Sequence, residues 1–240
     1  MTLQLKNLEP FARGGNRLCF VHPDNPNRCI KVRRPDFTLA DCRRKKGFPK
    51  NLRPLSYFDD NREEFKVMVA LEHQYGEALF DHISRCYGFE NSDMGRGLVS
   101  ELIRNSDGCI SQTLKKYIWD HGMDDLVQKA VRVLADFWLE ECIPSRDLLL
   151  HNIVVQMSGE QIDRLVVIDG LGSAGLISSR LLTRNIRRKK VQRKVDNLYE
   201  RIDQLLDLCG QEDFPGYHGL LIHDGQPTPI SCNQDGVKAP

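Results

Sequence analysis

The eight cysteines of this chain form no Cys-x-x-Cys pair, and no run approaches the ~18 apolar residues of a membrane span. The first absence removes the common zinc and dithiol redox motifs; the second leaves no candidate for a spanning helix. Charge of one sign is also missing. Lys and Arg total 34 against 33 Asp and Glu, a net +1 that argues neither for nor against nucleic acid as a global partner. Residues 1–8 hold no continuous apolar core of signal-peptide length, and no internal repeat is visible. The expectation is a cytoplasmic protein with reduced thiols, its cysteines serving as small buried apolar groups. What is there is ordinary for a globular chain: 240 residues, 40% apolar and 28% charged, enough for one two-lobed domain.

Patterning divides the chain. Residues 8–13, 17–22 and 29–32 read as short strands, separated by Gly14-Gly15-Asn16 and by the Pro/Asn/Asp cluster at 22–27, hence an antiparallel meander. Residues 33–53 read as basic and irregular. Residues 61–74 form the first convincing helix, with Phe65, Met68, Val69 and Leu71 on one side and Asn61 as cap. Residues 97–103 read as a strand running into the polar turn Asn105-Ser106-Asp107-Gly108. Residues 111–119 and 124–142 read as helices, the second carrying Leu126, Ala130, Val133, Leu134, Phe137 and Trp138 and stopped by Ile143-Pro144. A hairpin is expected at 153–168 around Ser158-Gly159-Glu160, and two helical stretches over 177–208. A Pro/Gly-rich tail closes the chain.

Three oxygen-bearing side chains stand out. Asp147 lies five positions before Asn152, and Asp169 leaves the apolar run Leu165-Val166-Val167-Ile168. Phosphoryl transfer uses such a set: one Asp orients or deprotonates an attacking hydroxyl, while an Asn and a second Asp supply oxygens to magnesium, which needs few protein ligands. Upstream, Gly14, Gly15 and Asn16 turn between strands, and Lys31 follows on the third strand, where its charge can meet phosphate oxygens. Glu64 is the expected acidic partner of Lys31, because Glu63 would place Lys66 on the packing side. Taken singly, each element has a plainer reading: a bare turn, a solvated lysine, a first-turn helix acid. Their joint order and spacing favour the chemical one.

These residues resemble the protein-kinase superfamily, and among its members the small bacterial branch that includes lipopolysaccharide core kinases. More narrowly, the run Gly15 to Pro23, Cys29-Ile30-Lys31-Val32, Gly97-Leu98-Val99, Asp107-Gly108, Ser111 and Ile168-Asp169-Gly170-Leu171-Gly172 resembles the YrbL family of the PhoP network. The resemblance implies an α+β, bilobal protein-kinase-like fold with a small antiparallel β-rich N-lobe over 1–103, a reduced helical C-lobe over 104–210 and a flexible tail over 211–240. It implies ATP and magnesium as cofactors, Glu101 to Ile103 as the hinge, Lys31 and Glu64 as the ion pair, Asp147 as catalytic base, and Asn152 and Asp169 as metal ligands. Three departures are visible. Ser145 stands where the family's loop carries His, Gly170-Leu171-Gly172 where the metal loop carries Phe-Gly, and no Ala-Pro-Glu segment follows Asp169. The last favours a small-molecule, sugar or glycolipid hydroxyl as acceptor over a protein. The first two motivate an alternative, a regulatory pseudokinase that binds nucleotide without turnover.

A second cationic theme lies outside this set. Arg184, Arg187, Arg188, Lys189, Lys190, Arg193 and Lys194 crowd one helical stretch, and Arg43-Arg44-Lys45-Lys46 form a smaller cluster. A solvated face is the plain reading. The functional one is contact with an anionic membrane surface, which would make the protein peripheral to the inner membrane. The stretch lacks aromatic interleaving and reader motifs, so nucleic acid is not favoured as its partner.

Overall fold

Leu18, Phe20, Ile30, Val32 and Val99 point to one face of a sheet and, with Leu3, Leu5 and Met94, form its apolar core. In the computed structural model the described residues are 2–172, 183–211 and 213–216. The sheet has five antiparallel strands in the order β1-β2-β3-β5-β4. They are β1 (Ala12–Arg13), β2 (Arg17–His22), β3 (Asn25–Arg33), β4 (Cys86–Ser92) and β5 (Gly95–Glu101). The expected meander is present, with shifted ends. β1 keeps only two residues of the expected 8–13. The Pro/Asn/Asp cluster needs only Pro23-Asp24 for its turn, because His22 already pairs with Asn25. β4 carried no signal in the sequence, since most of its residues are only half-buried and Gly88 interrupts it.

The stretch expected to be irregular contains a helix, α1 (Leu39–Lys46). Thr38 accepts from the Asp41 N–H and the Asp41 carboxylate accepts from the Thr38 N–H. This reciprocal pair satisfies two donors the helix start would otherwise leave open. α2 spans Asp60–Tyr75, and its buried stripe is Asn61, Met68 and Leu71, while Val69 is 46% exposed. Asn61 is not the cap. It lies inside the first turn, and Asp59 accepts from the Arg62 N–H instead.

Two compact units result. One holds the residues before Leu71 together with Arg85–Leu102; the other holds Leu71–Ser84 and Ile103–Pro215. The segment Leu71–Ser84 thus clusters with the second unit, although the sequence boundary at 103 put it in the first.

The second unit is built from α3 (Leu114–His121), α4 (Asp125–Glu141), the ribbon β6 (Ile153–Ser158) with β7 (Gln161–Val167), and α5 (Arg184–Leu208). α3 starts at the Thr113 cap rather than at Ser111, and α4 at the Asp124 cap, whose carboxylate accepts from the Val127 N–H at 2.8 Å. The buried face of α4 is Val127, Val131, Leu134, Ala135 and Trp138, and Val133 is exposed. That stripe keeps Leu134 and Trp138 of the expected set and lies one position on from Leu126, Ala130, Val133 and Phe137, which have the same helical spacing. α4 ends in a left-handed Cys142 (φ 53°) before Pro144 is reached. α5 is one uninterrupted helix where two stretches were expected, and residues 177–182 of that expectation lie outside the described residues. Of the expected tail, 217–240 lies outside them as well. Phe214, by contrast, is anchored: its ring meets Trp119 at 5.5 Å, with the ammonium groups of Lys115 and Lys116 over its face. Cys19, Cys29, Cys42, Cys86, Cys142 and Cys209 are free thiols. No helix among the described residues is long and apolar enough to cross a membrane.

Candidate functional site

Alternation along β3 turns Ile30 and Val32 into the core and leaves Lys31 on the opposite face, facing α2. Its Nζ donates to Glu64 Oε1 at 2.7 Å, and the lysine is 7% exposed. The other carboxylate oxygen accepts from Arg17 on β2, whose Nη1 also donates to Asn61 Oδ1 at 3.1 Å. Asn61 in turn donates to the Lys31 carbonyl at 2.7 Å, and Asn16 donates to Asp60 at 2.6 Å. The start of α2 therefore holds β2, β3 and the turn before β2 through three side chains, Asp60, Asn61 and Glu64. Glu63 turns away and pairs with Lys66 at 2.7 Å, which assigns the ion pair to Glu64. Cys19 sits opposite Lys31 in the register; burial, then the nearby Cys29 thiol, push it up to about 12. Burial also raises Cys29, so both thiols beside the lysine stay neutral.

The glycine turn is tight without being strained. Gly14 N–H donates to the Arg17 carbonyl at 2.8 Å, and the Gly15 carbonyl accepts from Arg34 at 3.0 Å. Neither glycine has a positive φ, and a Cβ on Gly15 would meet nothing within 4 Å. Of the residues expected to form a hinge, only Glu101 belongs to β5; Leu102 and Ile103 follow it outside any strand. Glu101 is tied to Arg85 in both directions, N–H to carbonyl at 2.9 Å and carboxylate to Arg85 N–H at 3.0 Å. The Ile103 carbonyl accepts from Ser111 N–H at 3.0 Å.

In the second unit, the segment carrying Asp147 and Asn152 runs beside the turn carrying Asp169. Arg146 N–H donates to the Gly170 carbonyl at 2.8 Å, Ile168 N–H to the Asn152 carbonyl at 2.9 Å, and Gly172 N–H to the Pro144 carbonyl at 2.8 Å. Ser145 bridges Leu171, and its hydroxyl accepts from the Trp138 indole at 3.3 Å. The serine is thus tied to α4 through Trp138. Gly170 has φ +85°, and a Cβ there would stand 3.0 Å from the Asp147 carbonyl and 3.2 Å from Asn152 Nδ2. An aromatic side chain cannot occupy this position without moving the loop it rests on. Asp169 Oδ1 accepts from the Gly170 N–H at 2.6 Å.

Asp147 has a partner that no local signal foretold. Arg201 on α5 grips both its oxygens, Nη1 to Oδ1 at 3.1 Å and Nη2 to Oδ2 at 2.6 Å. Lys194 stands 3.9 Å from Oδ1. α5 packs against α3, α4 and the short turn Leu150–Asn152, which brings these cations to the loop. The three oxygen-bearing groups and their neighbours suit magnesium: Asn152 and Asp169 lie on segments hydrogen-bonded to each other, and both offer hard oxygen donors. No cluster of three or more His, Cys, Asp or Glu able to hold a metal occurs among the described residues.

A β-rich unit with a Lys–Glu pair and a second, more helical unit with paired Asp/Asn and Asp loops make up an α+β chain. Residues 3–203 match the family model described as PhoP regulatory network protein YrbL, and the chain belongs to that family. Protein YrbL of Escherichia coli (strain K12) is 27% identical over 180 residues, covering 73% of this chain and 76% of the relative. The YrbL protein of Shigella flexneri matches to the same extent. Among solved structures, Rad53 1–466 in complex with AMP-PNP aligns at TM-score 0.47 and 14% identity, over 85% of this chain and 50% of the other. The kinase domain of Mycobacterium tuberculosis PknI aligns at TM-score 0.35 and 14% identity, over 64% and 53%. The chain therefore spans about half the length of each of these two.

Proposed function

We propose that the protein is an ATP- and magnesium-dependent phosphotransferase that passes a γ-phosphoryl group to a hydroxyl of a small-molecule, sugar or glycolipid acceptor. The observation that carries this reading is the pairing of the Asp147–Asn152 segment with the Asp169–Gly170 turn through Arg146, Ile168 and Gly170. Lys31, oriented by Glu64, would hold phosphate oxygens as a fixed point charge, and the open space at Gly15 would let the turn approach them. Asn152 and Asp169 would hold magnesium, which neutralises charge on the transferred group.

Asp147 would receive the acceptor hydroxyl. A carboxylate offers about four acceptor positions. Arg201 and the Leu148 N–H take two on Oδ1, and Arg201 takes one on Oδ2. One position on Oδ2 is left among the described residues, and it is the one a hydroxyl would use. Glu101 and Ile103 bracket the segment proposed to meet the nucleotide base. At the start of α5, the exposed Arg184, Arg188, Lys189 and Lys190 would give an anionic surface a place to rest.

Magnesium-dependent nucleotide binding, followed by thermal shift, should disappear in Asp169→Ala; a retained shift would remove the reading. The grip of Arg201 on both oxygens favours one alternative, a nucleotide-binding pseudokinase in which Asp147 is structural. Phosphoryl release or transfer that stops in Asp147→Asn, with nucleotide binding intact, decides against that alternative.

A further inference from the structure

Among the described residues, Lys194 is a cation beside the proposed base that the site just described does not use. Its side chain is 19% exposed, its nearest described carboxylate oxygen lies 3.9 Å away on Asp147, and it makes no hydrogen bond among the described residues. A gap of that length is an ion pair without a hydrogen bond, so the ammonium keeps its three donors. Asp147 cannot neutralise it fully either, because Arg201 already takes both oxygens of that carboxylate. Two cations thus converge on one anion, and a positive charge remains next to the carboxylate proposed to meet the acceptor.

The surplus continues along the helix. At ~100° per residue, Arg187, Lys190, Lys194 and Arg201 fall within about 60° of one another, so they form one row although the basic run as a whole wraps around α5. The row borders the buried stripe Val191, Val195, Leu198, Ile202 and Leu205. Arg187 Nε is buried and has no hydrogen-bond partner among the described residues. A donor left so is costly unless something anionic reaches its guanidinium group. Lys189 and Arg193 stand on another side of the helix.

We infer that this row, with Lys194 at its centre, is an anion subsite for the acceptor, so that the acceptor is a hydroxyl compound bearing a phosphate ester. The inference rests on the phosphotransferase reading and narrows its substrate class. The hydroxyl lies at Asp147 Oδ2 while the phosphate sits on Lys194 and, for a longer molecule, reaches Lys190 and Arg187 some 6–10 Å further along the helix. The phosphate can belong to a free sugar ester or to a lipid headgroup, because both present the same dianion to the lysine.

The test is calorimetric titration of the full chain with ribose 5-phosphate, ribose, and phosphatidylcholine vesicles with or without phosphatidic acid. Ribose 5-phosphate should bind about tenfold more weakly to Lys194→Gln, the loss expected for a charge-assisted contact. Lys194→Arg should restore it, and Lys129→Gln, at an exposed position on α4, should leave it unchanged. Equal binding by the unaltered chain and Lys194→Gln overturns the inference, as does equal loss in Lys129→Gln or binding of ribose as tight as that of its ester. Lys194-dependent binding to phosphatidic acid vesicles places the phosphate on a lipid, and binding to the soluble ester alone places it in solution. Nucleotide binding is followed separately in Lys31→Met. Its absence from the unaltered chain strikes the phosphotransferase reading, whereas the Lys194 dependence decides the anion subsite.

Discussion

The two units fix their polar groups by different means. Around Lys31 the work is done by side chains: Glu64 answers two cations at once, and Asn61 ties the Lys31 carbonyl to α2. Around Asp147 and Asp169 it is done largely by backbone, through Arg146, Ile168 and Gly172 N–H groups, with a glycine filling the space between the strands of chain. A side-chain network can be broken by deleting one carboxylate. A backbone pairing is broken only by changing the shape of the main chain.

The largest effect expected from this contrast is at Glu64. Glu64→Ala removes the carboxylate that Lys31 and Arg17 share, and should cost about 3 kcal/mol in a urea titration. A loss under about 1 kcal/mol would show that the network is an accessory to the sheet. Next comes Gly97→Ala, an apolar control in the same unit. Its Cβ would run into Ile30 Cγ1 and fall 2.6 Å from Cδ1, a clash worth about 2 kcal/mol in the core of the sheet. In the second unit, Gly170→Ala should cost about 1–2 kcal/mol through its positive φ, and should weaken magnesium-dependent nucleotide binding more than its stability loss explains. Unchanged binding there would separate the turn from the metal. Ser145→Ala, which strands the Trp138 indole N–H, should cost about 1 kcal/mol by thermal melting.

The smallest effect is a slope in pH. His82 is buried, its Nδ1–H donates to the Leu165 carbonyl at 2.9 Å, and burial holds the imidazole below its ordinary 6.5. The folded state therefore binds the proton less readily than the unfolded one. The His82 contribution is complete above 6.5 and is lost as the pH falls from there towards the depressed value. A melting temperature that declines on acidification through this window, with a shallower decline in His82→Gln, is the expected outcome.

Much of this was legible in the sequence, and the illegible part has a common cause. The β2–β3 and β6–β7 hairpins and the helices around Met68 and Leu134 announce themselves through period and turn chemistry, because their contacts are local. Lys31 and Glu64 were readable as a pair because the packing side of α2 is written in its apolar residues. α1 went unread because its four terminal basic residues mask a Thr38-x-x-Asp41 cap that was there to be seen. Arg201 could not be read at all: 54 positions separate it from Asp147, and nothing in a polar helix says which arginine turns inward. Arg17 likewise sits in the glycine turn's sequence but belongs to the α2 network.

Gly15 and Gly170 would look alike in any collection of related chains, yet they answer to different pressures. A methyl group at 170 collides with the loop beneath it, so selection for folding alone would retain that glycine. At 15 there is vacant space and an unstrained backbone, and only something arriving from outside the polypeptide would penalise a larger residue. Variation at position 15, rather than at 170, is where a lineage would record whether its members still grip a ligand.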